Sequence, residues 1–261
     1  MKALSTAATG MLAQQLNIDT IANNIANLNT TGFKRQRAEF QDLLYQNIER
    51  VGANSSDAGT VVPSGIQIGV GVKAAGVYRI TTQGALQQTS NQFDLAISGK
   101  GYFRISLPDG QDAFTRAGSF QIDQQGQLVN PSGYIVQPAI TIPQGAVDVS
   151  INEQGEVSVN LDGQAAPQQV GQLDLAIFAN EVGLEAIGSN LFVESQASGP
   201  PNLSTPGADG YGSIIQGFLE NSNVSAVSEI TAMIAAQRAY ELNSQVIQTA
   251  DEMLQAAGNL R

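Results

Sequence analysis

The sequence predicts an α+β fold in which a long helix at each end of the chain flanks a central antiparallel all-β domain. Apolar residues recur every seven positions within the first thirty residues, and the same spacing returns near the C-terminus. Between these stretches, short alternating segments are separated by glycine-rich turns, which is typical of antiparallel sheets. We therefore expect the two helices to pair in a coiled-coil-like layer.

Four regions follow from these patterns. They are an N-terminal helix over residues 1–30, a linker with a short helix and an extended segment over 31–76, a β domain over 77–221, and a C-terminal helix over 222–261. The two helices would together form one discontinuous helical core.

The N-terminal helix carries two heptad rows. They comprise Leu4, Met11, Ile18 and Ile25 in one row, and Ala7, Ile21 and Leu28 in the other, which Gln14 interrupts. Gly32 follows the polar run 29–31 and predicts the end of the helix. Only Lys2 and Asp19 are charged in residues 1–30, whereas seven positions are Asn or Gln. Because solvated helix faces are rich in charge and interfaces are depleted in it, we expect protein on several sides of this helix.

The C-terminal helix repeats the pattern. Its rows are Met233, Tyr240, Ile247 and Leu254, and Ala239, Val246, Met253 and Leu260. Asn223 or Ser225 is the predicted N-cap. Two apolar rows exceed what one partner helix covers, so we expect contacts with further copies of the chain; the alternative is an ordinary two-helix core element. The residues predicted to mediate self-association are Leu4, Met11, Ile18, Ile21, Ile25, Leu28, Met233, Tyr240, Val246, Ile247, Met253 and Leu254.

Composition excludes several classes of function. The net charge of −11 disfavours nucleic acid and anionic lipid as partners. The absence of His and Cys removes the Ser-His-Asp and Cys-His nucleophiles and Cys-ligated zinc, so we expect no catalytic, cofactor-binding or metal-binding residues. The chain has no run of 18 apolar residues, and polar positions such as Ser5 and Thr9 interrupt any signal-peptide core. We expect neither membrane insertion nor a cleaved signal.

The predicted linker contains three features. Phe40, Leu43, Leu44 and Ile48 predict a short amphipathic helix that ends near Arg50, and a glycine- and serine-rich loop over 51–65 precedes an alternating, strand-like run over 66–72. The basic residues Lys34, Arg35 and Arg37 are close together, and in an acidic chain we expect them to form salt bridges or lie exposed rather than bind nucleic acid. The partial dinucleotide-binding pattern Gly69-x-Gly71-x-x-Ala74 lacks a following helix and a ribose-binding acid, which argues against a nucleotide site.

The β domain is predicted from nine segments. They are residues 93–98, 102–107, 113–116, 120–123, 134–137, 147–151, 156–160, 173–178 and 191–194, with turns at 108–110, 123–126, 130–133, 152–155 and 162–163. Asp109, Asp112 and Asp123 are close in sequence, and paired carboxylates can hydrolyse glycosides. Because Asp109 and Asp123 lie in turn signatures, a structural role is the favoured interpretation.

Both ends of the chain resemble one known family. Residues 21–34, with 222–224, 233–241 and 251–254, are similar to the N- and C-terminal signatures of the flagellar rod and hook proteins, and 98–103 and 114–120 resemble stretches of that family's β domain. Within the family, the resemblance is greatest to subunits of the distal rod. The residues that carry the family motif are Asn23, Asn24, Asn27, Gly32, Phe33, Gln237, Arg238 and Tyr240.

The resemblance implies a structural subunit, without enzymatic activity, that polymerises into a rigid helical tube around an export channel and transmits motor torque to the hook. It implies contacts with proximal rod and hook or hook-junction proteins and with the surrounding P and L rings. The basal body, from periplasm to outer membrane, would be reached by the flagellar type III route, and residues 51–72 would stiffen the rod. Three alternatives remain: a proximal rod or hook subunit, a secreted glycan-cleaving enzyme, and a soluble binding module whose helices act only as a clasp.

Overall fold

The structure, a computed structural model, describes residues 2–49, 65–162 and 166–259. The chain forms two compact units. The helical unit comprises Met1–Ala26, Gln36–Tyr78 and Ser225–Arg261, and the β unit comprises Asn27–Arg35 and Arg79–Val224. The backbone therefore passes between the units four times, after Ala26, Arg35, Tyr78 and Val224. The α+β class is confirmed.

Two helices dominate the helical unit. Helix α1 spans Lys2–Ala26 and helix α2 spans Ala226–Asn259. Helix α1 ends several residues before the predicted stop at Gly32, because residues 27–32 form turns that belong to the β unit. Ser225 precedes α2, and its carbonyl accepts the Glu229 N–H at 3.0 Å. The other predicted cap, Asn223, instead accepts the Arg35 N–H at 2.7 Å within the β unit.

Four strands complete the described part of the helical unit. They are β1 (Gln36–Asp42), β2 (Tyr45–Glu49), β3 (Ile66–Gly69) and β4 (Val72–Arg79). Strand β1 pairs with β4, and β2 pairs with β3 in antiparallel orientation. Gly71 leads into β4 rather than into a helix, so the pattern at 69–74 is not the strand–turn–helix of a nucleotide site. Most of the predicted loop 51–65 and the end of the predicted short helix at Arg50 lie outside the described residues.

The predicted short helix at 40–48 is wrong, because this segment forms β1 and β2. In β1, Gln36, Ala38 and Phe40 are half-buried, whereas Arg37 and Glu39, which alternate with them, are exposed. This is the two-residue period of a strand. Leu44, which was assigned to an apolar helical face, is 86% exposed. The helical spacing of the large apolar residues was therefore coincidental, and the alternation around Phe40 was the informative pattern.

The β unit contains sixteen strands in its described part. They are β5 (Leu86–Gln88), β6 (Leu95–Ser98), β7 (Tyr102–Ser106), β8 (Asp112–Thr115), β9 (Gln121–Ile122), β10 (Leu128–Val129), β11 (Ile135–Gln137), β12 (Ala146–Ile151), β13 (Glu156–Leu161), β14 (Gln168–Gln172), β15 (Leu175–Ile177), β16 (Glu185–Gly188), β17 (Leu191–Val193), β18 (Asn202–Ser204), β19 (Ser213–Gln216) and β20 (Phe218–Glu220). A single 3-10 turn, Glu181–Gly183, interrupts them.

These strands form one large sheet and several small ones. The nine-stranded sheet runs in the order β16-β17-β8-β7-β11-β10-β9, with β15 joined to β7 and β18 joined to β15. Strands β12, β13 and β14 form a three-stranded sheet, and β19 and β20 pair with β6 and β5. All these pairings are antiparallel. Each of the nine predicted strands is found, and seven further strands were not predicted.

The β unit has a large aromatic and aliphatic core. Phe103 and Phe120 are fully buried and meet edge to face with ring centroids 5.1 Å apart. Phe114 and Phe178 make a similar contact at 4.8 Å. Edge-to-face geometry adds a favourable quadrupole interaction to the large apolar area that each ring buries. The β unit therefore has the composition of an independently stable domain.

The helical unit buries far less apolar surface. Within its described residues, the buried apolar side chains are Ala7, Ala13, Ile21, Ala236 and Ala250. Burying a methyl group contributes about 0.8 kcal/mol, against about 1.5–3 kcal/mol for a whole Leu or Phe side chain. The helical unit of a single copy should consequently open at lower free energy than the β unit.

Hydrogen exchange on dilute, monomeric protein tests this difference. We expect amides of α1 and α2 to exchange from local opening, well before those of β7 and β8, which should exchange only at the free energy of global unfolding. Mass spectrometry of peptic fragments would measure both sets in one experiment. Equal protection of the helices and of β7–β8 would show that small-residue packing suffices to hold the helices in a single copy.

Candidate assembly surface

Helices α1 and α2 pack against each other in antiparallel orientation. Near the end of α1, the Asn24 Nδ2 donates to Glu229 Oε2 at 3.0 Å. Two heptads earlier on α1, Gly10 lies against Asn243, which is two heptads later on α2. A step of two heptads backwards along α1 therefore corresponds to a step of two heptads forwards along α2. This relation defines an antiparallel pair in constant register.

Small and polar residues form this contact. On α2, Glu229, Ala236, Asn243 and Ala250 recur every seven residues; Glu229, Ala236 and Ala250 are 1%, 3% and 8% exposed. On α1, the buried residues are Ala7, Ala13, Thr20, Ile21 and Asn24. A Cβ added at Gly10 would lie 3.1 Å from the Asn243 side chain, so this side chain packs directly against the α1 backbone. The two helices thus meet through a heptad row that contains almost no large apolar side chain.

The predicted self-association residues lie mostly beside or away from this contact. Ile21 is buried; Leu4, Met11, Ile18, Ile25, Leu28, Met233 and Ile247 are half-buried; Tyr240, Val246, Met253 and Leu254 are exposed. Leu28 follows α1 and belongs to the β unit. The row that packs on α1 was missed because it consists of alanine and polar residues, although the spacing of Ala236 and Ala250 by two heptads was present in the sequence.

Large apolar side chains are instead displayed outwards. The most exposed on the two helices are Leu12, Val227, Ile230, Ile234, Tyr240, Leu242, Val246, Met253 and Leu254, which we call the apolar helix surface. Grooves run beside it. One of about 370 Å³ is lined by Ala3, Leu242, Val246 and Met253, and another of about 530 Å³ is lined by Ala3, Ala7, Ile68 and Val246.

Exposed large apolar residues in such number are typical of interaction surfaces. In the part of the chain that the structure describes, no helix is sufficiently long and apolar to span a membrane.

The motif residues at the end of α1 connect it to β1. The Asn24 Oδ1 accepts the Gln36 N–H at 2.8 Å, and its Nδ2 donates to the Gln36 carbonyl, also at 2.8 Å. This side chain therefore satisfies the first backbone groups of β1 while it contacts Glu229 of α2. Asn23 is exposed on α1. Asn27, in the β unit, accepts the Thr30 hydroxyl at 3.1 Å within the following turn.

Gly32 occupies a position that only glycine fits. Its φ is +69°, and an added Cβ would lie 2.7 Å from the Ala117 backbone nitrogen. Its N–H donates to the Glu220 carbonyl at 2.8 Å, which places the segment 27–35 beside β20. Phe33 is half-buried, and its N–H closes the turn on the Thr30 carbonyl. The motif Gly32-Phe33 therefore has a steric explanation within the β unit.

A buried carboxylate lies next to this turn. Glu220 is 1% exposed; its Oε1 accepts Lys34 Nζ at 2.6 Å and the Gly84 N–H at 2.9 Å, and its Oε2 accepts Arg116 Nε at 2.8 Å. Lys34 Nζ also donates to the Thr82 carbonyl at 2.9 Å. The remaining nitrogens of Arg116 donate to the carbonyls of residues 97, 99 and 101. The three charges therefore have the hydrogen-bond partners that buried ions require.

The cluster shifts the pKa values of its members. Burial lowers the pKa of the Lys34 ammonium below its usual value, even though Glu220 acts in the opposite direction. Burial alone would raise the pKa of Glu220, but the charges of Arg116 and Lys34 and the bonds from Lys34 and Gly84 outweigh it and lower the pKa. The expectation that Lys34 forms a salt bridge is confirmed. Glu220 was missed, because nothing in its local sequence distinguishes a buried acid.

The other motif residues face outwards. Gln237, Arg238 and Tyr240 are exposed on α2 and so contribute little to the packing of a single copy. The predicted carboxylate candidates have structural contacts instead. Asp109 and Asp123 accept backbone N–H groups of their own turns at 3.0 and 2.7 Å. Asp112 pairs with Arg104 at 3.3 Å. The described residues include no cluster of acidic side chains that could hold a metal ion.

Replacement of the buried carboxylate provides a test of the cluster. We expect Glu220→Gln to destabilise the β unit by about 3–5 kcal/mol at pH 7, because Lys34 and Arg116 would remain buried without a counter-charge. Urea unfolding would measure the loss, with Glu185→Gln on exposed β16 as the control. Since the folded pKa of Glu220 is depressed, its contribution is complete above the unfolded pKa and is lost as the pH falls through the folded value. The difference in unfolding free energy between the wild type and Glu220→Gln should therefore shrink under acidic conditions. A difference that does not depend on pH would indicate lost packing instead.

Comparison with known proteins adds independent information. Residues 4–34 match the family described as "Flagella basal body rod protein", residues 96–159 match "Flagellar hook protein FlgE/F/G D1 domain", and residues 215–260 match "Flagellar basal body rod FlgEFG protein C-terminal". The first and third matches coincide with the two terminal motifs, and the second lies within the β unit.

Full-length relatives agree with these matches. "Flagellar basal-body rod protein FlgG" of Caulobacter vibrioides is 62% identical over 261 residues, with complete coverage of both chains. The proteins of the same name from Borreliella burgdorferi and Bacillus subtilis are 50% and 42% identical, and each alignment covers 100% of this chain and 99% of the relative. The chain therefore belongs to the flagellar rod and hook protein family, and is similar over its whole length to the basal-body rod proteins named FlgG.

Proposed function

We propose that the chain is a structural subunit of the flagellar basal-body distal rod, which polymerises into a rigid helical tube that encloses the export channel and transmits torque to the hook. The observation that carries this proposal is the apolar helix surface. The α1–α2 contact uses the small residues of each helix and leaves the large apolar ones to a partner. A subunit that functions alone would bury its large apolar residues between the two helices and place small and polar residues on the outside.

The energetics favour polymerisation through this surface. Leu242 and Met253 are 62% and 63% exposed. Burial of each in a contact between copies would therefore gain most of the roughly 1.5–3 kcal/mol that full burial of such a side chain provides. Nine residues of this kind on each copy can offset the cost of association, which is about 4–15 kcal/mol. In the polymer, the helix pairs would form a coiled-coil-like inner layer, with the β units on the outside.

The distal position and the partners rest on the relatives. Proteins named as basal-body rod subunits cover the whole chain, which supports a place in the rod between proximal rod proteins and the hook or its junction proteins. The P and L rings would surround this part of the rod, which would extend from the periplasm to the outer membrane. Delivery would use the flagellar type III route. No cofactor, metal or nucleic acid takes part in this function, which is mechanical.

Substitutions on the apolar helix surface test the proposal. We expect Leu242→Asp and Met253→Asp each to abolish polymerisation of the purified chain, because a carboxylate would have to be desolvated in the subunit contact. Both side chains are exposed, so the stability of the monomer should change by no more than about 0.5 kcal/mol. Electron microscopy and sedimentation would measure polymer, and thermal unfolding of dilute protein would measure stability.

Val147→Asp is the matched control. Val147 is 70% exposed on β12 of the β unit, so the same chemical change is made away from the helices. This variant should polymerise as the wild type does. Polymers of normal length from both helix variants would eliminate the apolar helix surface as the contact, whereas a straight filament from the wild-type chain and its loss in those variants would support the rod assignment.

A further inference from the structure

On the sides away from their mutual contact, α1 carries the acidic residue Asp19, and α2 carries the basic residue Arg238 with Glu241 three residues later. On α1, Asp19 follows Asn17 by two residues and therefore lies about 200° around the helix from it. Asn17 is in the heptad of Gly10 and Asn24, which face α2. On α2, Arg238 likewise follows buried Ala236 by two residues and lies about 200° around the helix from it. Asp19 and Arg238 are both exposed.

Each charge stands among exposed apolar residues. Leu12, one heptad before Asp19, is 67% exposed and borders a groove of about 250 Å³. Its other lining residues are Thr9, Ala13, Val72, Lys73 and Ala74. Ile234, one turn before Arg238, is 47% exposed. The outer face of α1 thus presents the exposed Leu12 followed one heptad later by an acid, and that of α2 presents the exposed Ile234 followed one turn later by a base. These two patterns are complementary.

Neither charge, the Asp19 carboxylate or the Arg238 guanidinium, has an ion-pair partner among the residues that the structure describes. Burial of these outer faces in a polymer would remove water from both groups, and an unpaired buried charge is costly. Arg238 is the single basic residue in the sequence of α2, and Asp19 is the single acidic residue in that of α1.

We propose that the outer face of α1 in one copy docks on the outer face of α2 in a second copy, with Asp19 paired to Arg238 of that copy. This inference rests on the proposed function, because it specifies which faces meet in the polymer. The pair would set the register between copies, since apolar contacts alone tolerate sliding and a buried charge pair does not. It also gives the exposed motif residue Arg238 a physical role.

Charge reversal in each helix, followed by mixing, tests the pair between copies. We expect Asp19→Lys alone and Arg238→Glu alone each to raise the critical concentration for polymerisation at least about tenfold, because like charges would then face each other in every contact. An equimolar mixture of the two variants should polymerise, since each then supplies the charge that the other lacks. The doubly substituted chain should also recover polymerisation.

Asp209→Lys, on an exposed turn of the β unit, controls for the change in net charge, and thermal unfolding of each monomer controls for folding. Two results would overturn the pairing: single variants that polymerise normally, or single variants that fail and are restored neither by mixing nor by double substitution. The second result would point to another partner, such as Glu241 for Arg238. If the wild-type chain forms no polymer under any condition, the proposed function itself fails, which is a separate outcome.

Discussion

The close approach of α1 and α2 through small side chains determines how the rest of the helical unit is used. Gly10 faces Asn243, and Ala236 and Ala250 continue the same heptad row, so the contact has no room for large side chains. The large apolar residues are therefore displaced to the other sides of the helices. This arrangement costs the single copy much of its hydrophobic stabilisation, and it leaves that apolar area for the contacts between copies that we propose.

The β unit follows the opposite principle. Its core is filled by aromatic and aliphatic side chains, and its buried basic residues Lys34 and Arg116 are paired with Glu220. That cluster connects the turn after α1, through Lys34, with β20, which precedes α2. A satisfied buried cluster has one favourable geometry, so it fixes the segment that carries the motif residues Gly32 and Phe33. The same chain thus combines a self-sufficient domain with one whose apolar surface would be covered in the proposed polymer.

Much of this architecture could be predicted from the sequence. Glycine turns and alternation located nine strands, and heptads located both helices. Strands such as β14, with the sequence QQVGQ, were missed because they have no apolar alternation to detect. The contact face of α2 was missed because heptad analysis favours large apolar residues, whereas Ala236 packs here. The partners of Lys34 could not be found, since Glu220 is distant in sequence and only the tertiary fold brings the two together.

The four passages of the backbone between the units have a mechanical consequence. Most two-domain proteins are joined by one covalent linker, which bears the entire tension when the domains are pulled apart. Here a tensile load would be divided among four peptide segments. A single proteolytic cut in any one of them would leave the helical unit and the β unit joined by the other three. The two units would therefore stay covalently connected after any one of the four segments is broken.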